Sequence, residues 1–194
     1  MPESRRSPAK RTVGVVAAVV VLAGLYALWG LYKLQEHSRS AEPLWLLADI
    51  AQAEDAYRRD SKTGRYLSIS GGPEDGPIHS FFPAAHPRGE FAAWDPPGCA
   101  DSSVKVPCKA FGALSVKVNA GAVLYRYGGG AAVGFEQCRA LARANGASDP
   151  PILPDGEPCF VLVAIDGEGG AYERLVVSSW ARQARSIVKS GAGP

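Results

Sequence analysis

Residues 13–32 read VGVVAAVVVLAGLYALWGLY, twenty positions from Val13 to Tyr32 without a charge. As a helix rising about 1.5 Å per residue they cover roughly 30 Å, the thickness of a bilayer's hydrocarbon core. The run predicts a membrane-spanning helix over 13–34, preceded by a basic tail over 1–12. Arg5, Arg6, Lys10 and Arg11 precede it with only Glu3 against them, whereas Lys33 and Arg39 follow it mixed with Glu36 and Glu42. The positive-inside bias therefore places the N-terminus in the cytoplasm and exports residues 35–190 as one domain. The expected address is a cell inner membrane, crossed once, with that domain periplasmic or extracellular. Ser38-Arg39-Ser40 before Ala41 resembles a signal-peptidase site, but signal peptides carry apolar cores of roughly 7 to 15 residues. An uncleaved anchor is expected, with the lipid bilayer as its first partner.

About 160 residues remain outside the membrane, enough for a single core. Five of the 21 basic residues and one of the 19 acidic ones precede Gln35, leaving 16 and 18 and a net charge of −2 for the exported part. Such a balance argues against a nucleic-acid partner, which needs clustered positive charge. Cys99, Cys108, Cys138 and Cys159 all lie in the exported part, and an even count in an oxidising compartment reads as two disulfides. Three pairings are possible. Cys99 with Cys108 and Cys138 with Cys159 is favoured because each closes a short loop, for about 2 to 4 kcal/mol apiece. No CxxC pair or nearby histidine gives zinc-like spacing.

After the anchor, Ser40-Ala41-Glu42-Pro43 marks a helix start, with at most a short break near Pro43. From Leu44 to Arg59 the stripe Leu46, Ile50, Ala53, Tyr57 has helical spacing, with Asp49, Gln52 and Asp55 opposite. Glu54 with Arg58 and Asp55 with Arg59 form i to i+4 pairs, and Thr63-Gly64 supplies the stop. Residues 71–110 hold seven prolines, which predicts a loop packed down by Phe81, Phe82, Phe91 and Trp94. Leu114, Val116 and Val118 alternate with polar residues, predicting a strand that turns at Asn119-Ala120-Gly121 and returns over Val123 to Tyr127. Phe135 to Asn145 reads as a helix closed by Gly146. Cys159 to Ile165 and Ala171 to Ser179 read as strands, and Trp180 to Lys189 as a short final helix.

Little in the chain points to catalysis. Asp166 and Glu168 lie in a glycine turn that lacks calcium-loop spacing. His79 and His86, with Asp95 further on, read as surface-loop residues. No GxSxG elbow is present, and Gly128-Gly129-Gly130 lacks the Lys-Ser/Thr of a phosphate loop. Trp45 and Tyr57 read as interfacial anchor and core. The expectation is a protein that is not an enzyme, with no catalytic residues, cofactor, metal or small-molecule substrate.

The order of pieces has a family look. An apolar helix, then an amphipathic one ending in Ala53-Glu54-Asp55-Ala56-Tyr57-Arg58-Arg59, then Thr63-Gly64-Arg65-Tyr66, resembles the N-terminal half of type IV pilin-like and pseudopilin-like proteins. Trp94, the expected Leu114 to Tyr127 hairpin, and Val163-Ala164-Ile165-Asp166-Gly167-Glu168-Gly169 resemble their late strands. The resemblance implies an α+β fold, a long N-terminal helix packed on an antiparallel sheet, and a structural or interaction role in a pilus or secretion-type assembly with other pilin-like or envelope proteins as partners. One departure stands out: Gly14 is followed by Val15-Val16-Ala17-Ala18-Val19, without the glutamate found at the fifth mature position in pilins, so no prepilin cleavage motif is present. The alternative reading is an exported ligand- or peptide-binding domain on an anchor, outside any filament, using the loop at 71–110.

Overall fold

The computed structural model describes residues 8–72, 74–84, 87, 89–95, 105–166 and 172–189; side chains at 8–19, 32, 34–40, 172–173 and 187–189 lie outside that description. It is an α+β structure with two compact units, Met1–Ser40 and Ala41–Pro194. Helix α1 (Pro8–Asp60) supplies residues to both.

In the first unit, the described large apolar side chains of α1, among them Val20, Leu22, Leu25, Tyr26, Leu28, Trp29 and Leu31, are all exposed. Among the described residues no helix is long and apolar enough to cross a membrane. The predicted span has its first seven side chains, 13–19, outside that set.

The second unit is built on a four-stranded antiparallel sheet in the order β3 (Arg126–Val133), β4 (Pro158–Ile165), β5 (Tyr172–Ser178), β6 (Ala181–Lys189). Strand β4 explains why its sequence is apolar throughout: successive side chains point to opposite faces, and both faces are covered. Phe160, Leu162 and Ala164 join Leu46, Leu47, Ile50 and Ala51 of α1 in one core cluster. Cys159, Val161 and Val163 join Cys138 and Leu141 of α3 (Phe135–Asn145) in another. Gly146 closes α3 in the left-handed conformation, as its sequence predicted. A smaller pair, β1 (Ala92–Ala93) with β2 (Ala122–Val123), lies beside them.

Three expectations are corrected and one is met. The helix runs through Pro43 without a break, within the expectation of at most a short one. Part of the proline-rich loop is helix α2 (Lys105–Ala113), with Pro107 in its first turn, where a missing N–H costs nothing. Leu114–Val118 is not a strand. It has the predicted alternation of buried and exposed side chains but no ladder, because the chain leaves α2 through a left-handed Ser115 (φ 54°). Finally, residues 181–189 form β6 rather than a helix: pairing along the free edge of β5 overrides the helix propensity of Ala, Arg and Gln.

Candidate functional site: helix seam and flanking grooves

Two carboxyl groups tie α1 to the rest of the domain, one at the start of the sheet and one at the loop that follows the helix. Glu42 accepts hydrogen bonds from the backbone N–H of Leu124 (2.9 and 3.0 Å) and Tyr125 (3.2 Å) and from the Tyr127 hydroxyl (3.0 Å). Burial, and then Glu42 itself, push the Tyr127 phenol well above its ordinary pKa. Three turns on, Glu54 is fully buried, accepts Leu67 N–H at 2.9 Å through Oε2, and leaves Oε1 without a partner. Burial raises its pKa from 4.5 to about 8, so near neutrality it is held as the neutral acid.

The last turn of α1 ends in a polar seam. Arg58 donates to Glu157 (2.8 Å), Tyr66 Oη (3.2 Å) and Gly64 O (3.2 Å); Tyr66 donates to Asp55 (3.2 Å); Arg182 of β6 grips both oxygens of Asp55 at 3.0 and 2.9 Å. Arg182 also lies over the Phe160 ring. Asp55 and Arg58 thus reach across to the sheet and the loop before β4.

Beside the seam are two open grooves that share Ser115, Val116 and Lys117. One, about 540 Å³, runs along α1 between Asp49, Gln52, Ala56 and Arg59 and the 114–117 segment. The other, about 520 Å³, is lined by exposed Asp95, Lys117 and Asn119 and half-buried Val118, with Trp94, Phe111 and Val116 buried behind them. Trp94 is fixed by its indole N–H to Val116 O (3.1 Å) and by edge contacts with Phe82 and Tyr127.

Most residues singled out from the sequence stand apart from these grooves. Cys138 and Cys159 form a disulfide that pins α3 to β4. Cys108 is also disulfide-bonded, and its expected partner Cys99 lies outside the described residues. His79 is exposed, as is Asp95; His86 and Glu168 lie outside the described residues. Among the described residues no group of three His, Cys, Asp or Glu side chains could hold a metal. Tyr57 packs partly buried against the core and Trp45 is 42% exposed.

No protein-family model, curated protein or solved structure matches this chain.

Sequence reasoning missed Glu54, treated as half of a surface ion pair, and the role of Gly128-Gly129-Gly130. The glycines lie in β3 with a segment of loop crossing them: Ser70 N–H donates to Gly129 O (2.8 Å), Gly129 N–H to Ser70 Oγ (3.1 Å), and Ser70 Oγ–H to Ser80 O (2.6 Å). A Cβ on Gly128 would sit 2.8 Å from the Ser80 carbonyl oxygen. The run is a bed for the covering loop, and only its position inside a strand pattern hinted at that.

Proposed function

We propose that this chain is a single-pass envelope protein, its N-terminus cytoplasmic and its second unit exported, acting as a pilin-like structural or interaction component of a pilus or secretion-type assembly. The observation that carries the reading is the contrast within α1. From Leu46 to Ala51 its large apolar side chains are buried against an antiparallel sheet, while from Val20 to Leu31 they are exposed. An apolar stretch left uncovered in water is costly, and a bilayer or the helices of neighbouring subunits would cover it. The uncharged run from Val13 to Tyr32 and its basic flank give the orientation.

Alkaline carbonate extraction of membranes from cells making the full chain tests the anchor. The protein should remain in the pellet, and Leu25→Arg with Leu28→Arg should release it; release of the unaltered chain would overturn the reading. Determining the mature N-terminus distinguishes the intact anchor from cleavage near Gly14 or after Ser40. Crosslinking in intact cells should recover other pilin-like or envelope proteins with the chain. A second reading, an exported domain binding a small ligand or peptide, is favoured by the two grooves flanking Ser115–Lys117.

A further inference from the structure

The segment 114–118 leaves α2 with its side chains alternating between buried (Leu114, Val116) and exposed (Ser115, Lys117), as an extended chain does. Its two backbone sides are used unequally. Val116 O accepts the Trp94 indole N–H at 3.1 Å, and Val118 O accepts Gly121 N–H at 2.9 Å. Successive residues of an extended chain turn their backbone groups to opposite sides, so Lys117 N–H and C=O are aimed away from Trp94. Among the described residues nothing bonds to either group. Of the two grooves that share this segment, the one without Trp94 has α1 as its far wall.

Along α1 that groove carries exposed Asp49, Gln52 and Arg59, with half-buried Ala53 and Ala56 between them. The polar seam leaves Arg59 available: Asp55, its expected i to i+4 partner, is gripped by Arg182 and bonded by Tyr66. Among the described residues no side chain pairs with Arg59, Asp49 or Lys117. Asp49 and Arg59 lie roughly 15 Å apart along the helix, the reach of about four to five residues of extended chain. Single unpaired charges are ordinary on a surface. Here a carboxylate and a guanidinium stand at the outermost α1 positions of one groove whose other side offers an unpaired backbone donor and acceptor.

We propose that this groove binds an extended peptide segment of another exported protein by strand addition at Lys117. The peptide backbone donates to Lys117 O and accepts from Lys117 N–H, a cationic side chain of the peptide meets Asp49, and a carboxylate four residues along meets Arg59. The inference deepens the second reading above and rests on it, naming the groove and the chemistry of the ligand. In such a contact the main-chain bonds supply affinity and the charges at the two ends supply selectivity.

Two dye-labelled, end-capped pentapeptide mixtures, Lys-x-x-x-Glu and Lys-x-x-x-Lys with x drawn from serine, threonine and valine, provide the test. They are titrated with the full chain in a neutral detergent and read by fluorescence anisotropy. The first mixture should bind about tenfold more tightly than the second. Arg59→Glu should invert that order, because both ends of the groove are then acidic. Methylating the three central backbone nitrogens of the peptides should abolish binding to the unaltered chain, since it removes the donors for Lys117 O. Equal binding of the two mixtures, an order unchanged in Arg59→Glu, or binding indifferent to methylation would overturn the proposed mode and leave peptide binding elsewhere on the domain standing. No binding of either mixture would sink the peptide-binding reading along with it.

Discussion

The Tyr127 hydroxyl of β3 donates to Glu42 Oε1 at 3.0 Å, and the same oxygen accepts from the Tyr125 backbone, so one carboxyl group on α1 organises the start of the sheet. Replacing Glu42 with alanine would strand two backbone donors and a buried phenol. Each uncompensated group costs about 1 to 3 kcal/mol, so Glu42→Ala should lose about 3 kcal/mol or more in denaturant unfolding of the full chain. A loss under about 0.5 kcal/mol would show that water replaces the carboxyl group there.

Glu54 should make the domain lose stability as pH rises. Its folded pKa of about 8 lies above the 4.5 of the free side chain, so its contribution is complete below pH 4.5, declines as the unfolded chain ionises, and is gone above pH 8. By pH 7 the loss is about 3 kcal/mol. Glu54→Gln keeps an acceptor for Leu67 N–H and removes the titration. Unfolding measured from pH 5 to 8 should slope downward in the parent and flatten in the variant; equal slopes would dismiss Glu54 as the cause.

Gly128→Ala should destabilise by about 1 to 3 kcal/mol, because the added methyl group meets a backbone carbonyl that cannot rotate away. Thermal unfolding is the readout. Loosening should concentrate at Ser70 and Phe82, seen as faster amide exchange at the residues whose N–H groups bond to Gly129 O and Tyr127 O.

Ser115→Gly should raise stability by about 0.5 to 1 kcal/mol, since Ser115 caps α2 at φ 54°, with Val116 N–H reaching back to Phe111 O at 3.3 Å. A neutral or negative change in chemical denaturation would mean the serine hydroxyl compensates for the strain.

Much of the architecture was legible in local patterns. The stripe at Leu46 and Ile50, the α3 helix with its Gly146 stop, and the apolar run at Cys159–Ile165 each carry their period openly, and the fold keeps all three. What escaped depends on partners distant in sequence. Residues 181–189 resemble helix until β5 offers an edge, Leu114–Val118 alternates like a strand because it lies against the core without a neighbour, and Glu54 looks like a surface charge until Leu67 folds over it. The grooves escaped for the same reason, because α1 and the 111–119 segment meet only through the tertiary fold.

The loop laid over β3 also decides whether another chain could extend the sheet. Ser70 and Phe82 take up backbone groups of Gly129 and Tyr127 on the outer side of that strand, closing one border of the sheet. The other border is β6, which carries Arg182, Arg185 and Lys189, charges that discourage another chain from extending the ladder. With one border covered and the other charged, the domain can be crowded among other chains without its sheet fusing with theirs into a common ribbon.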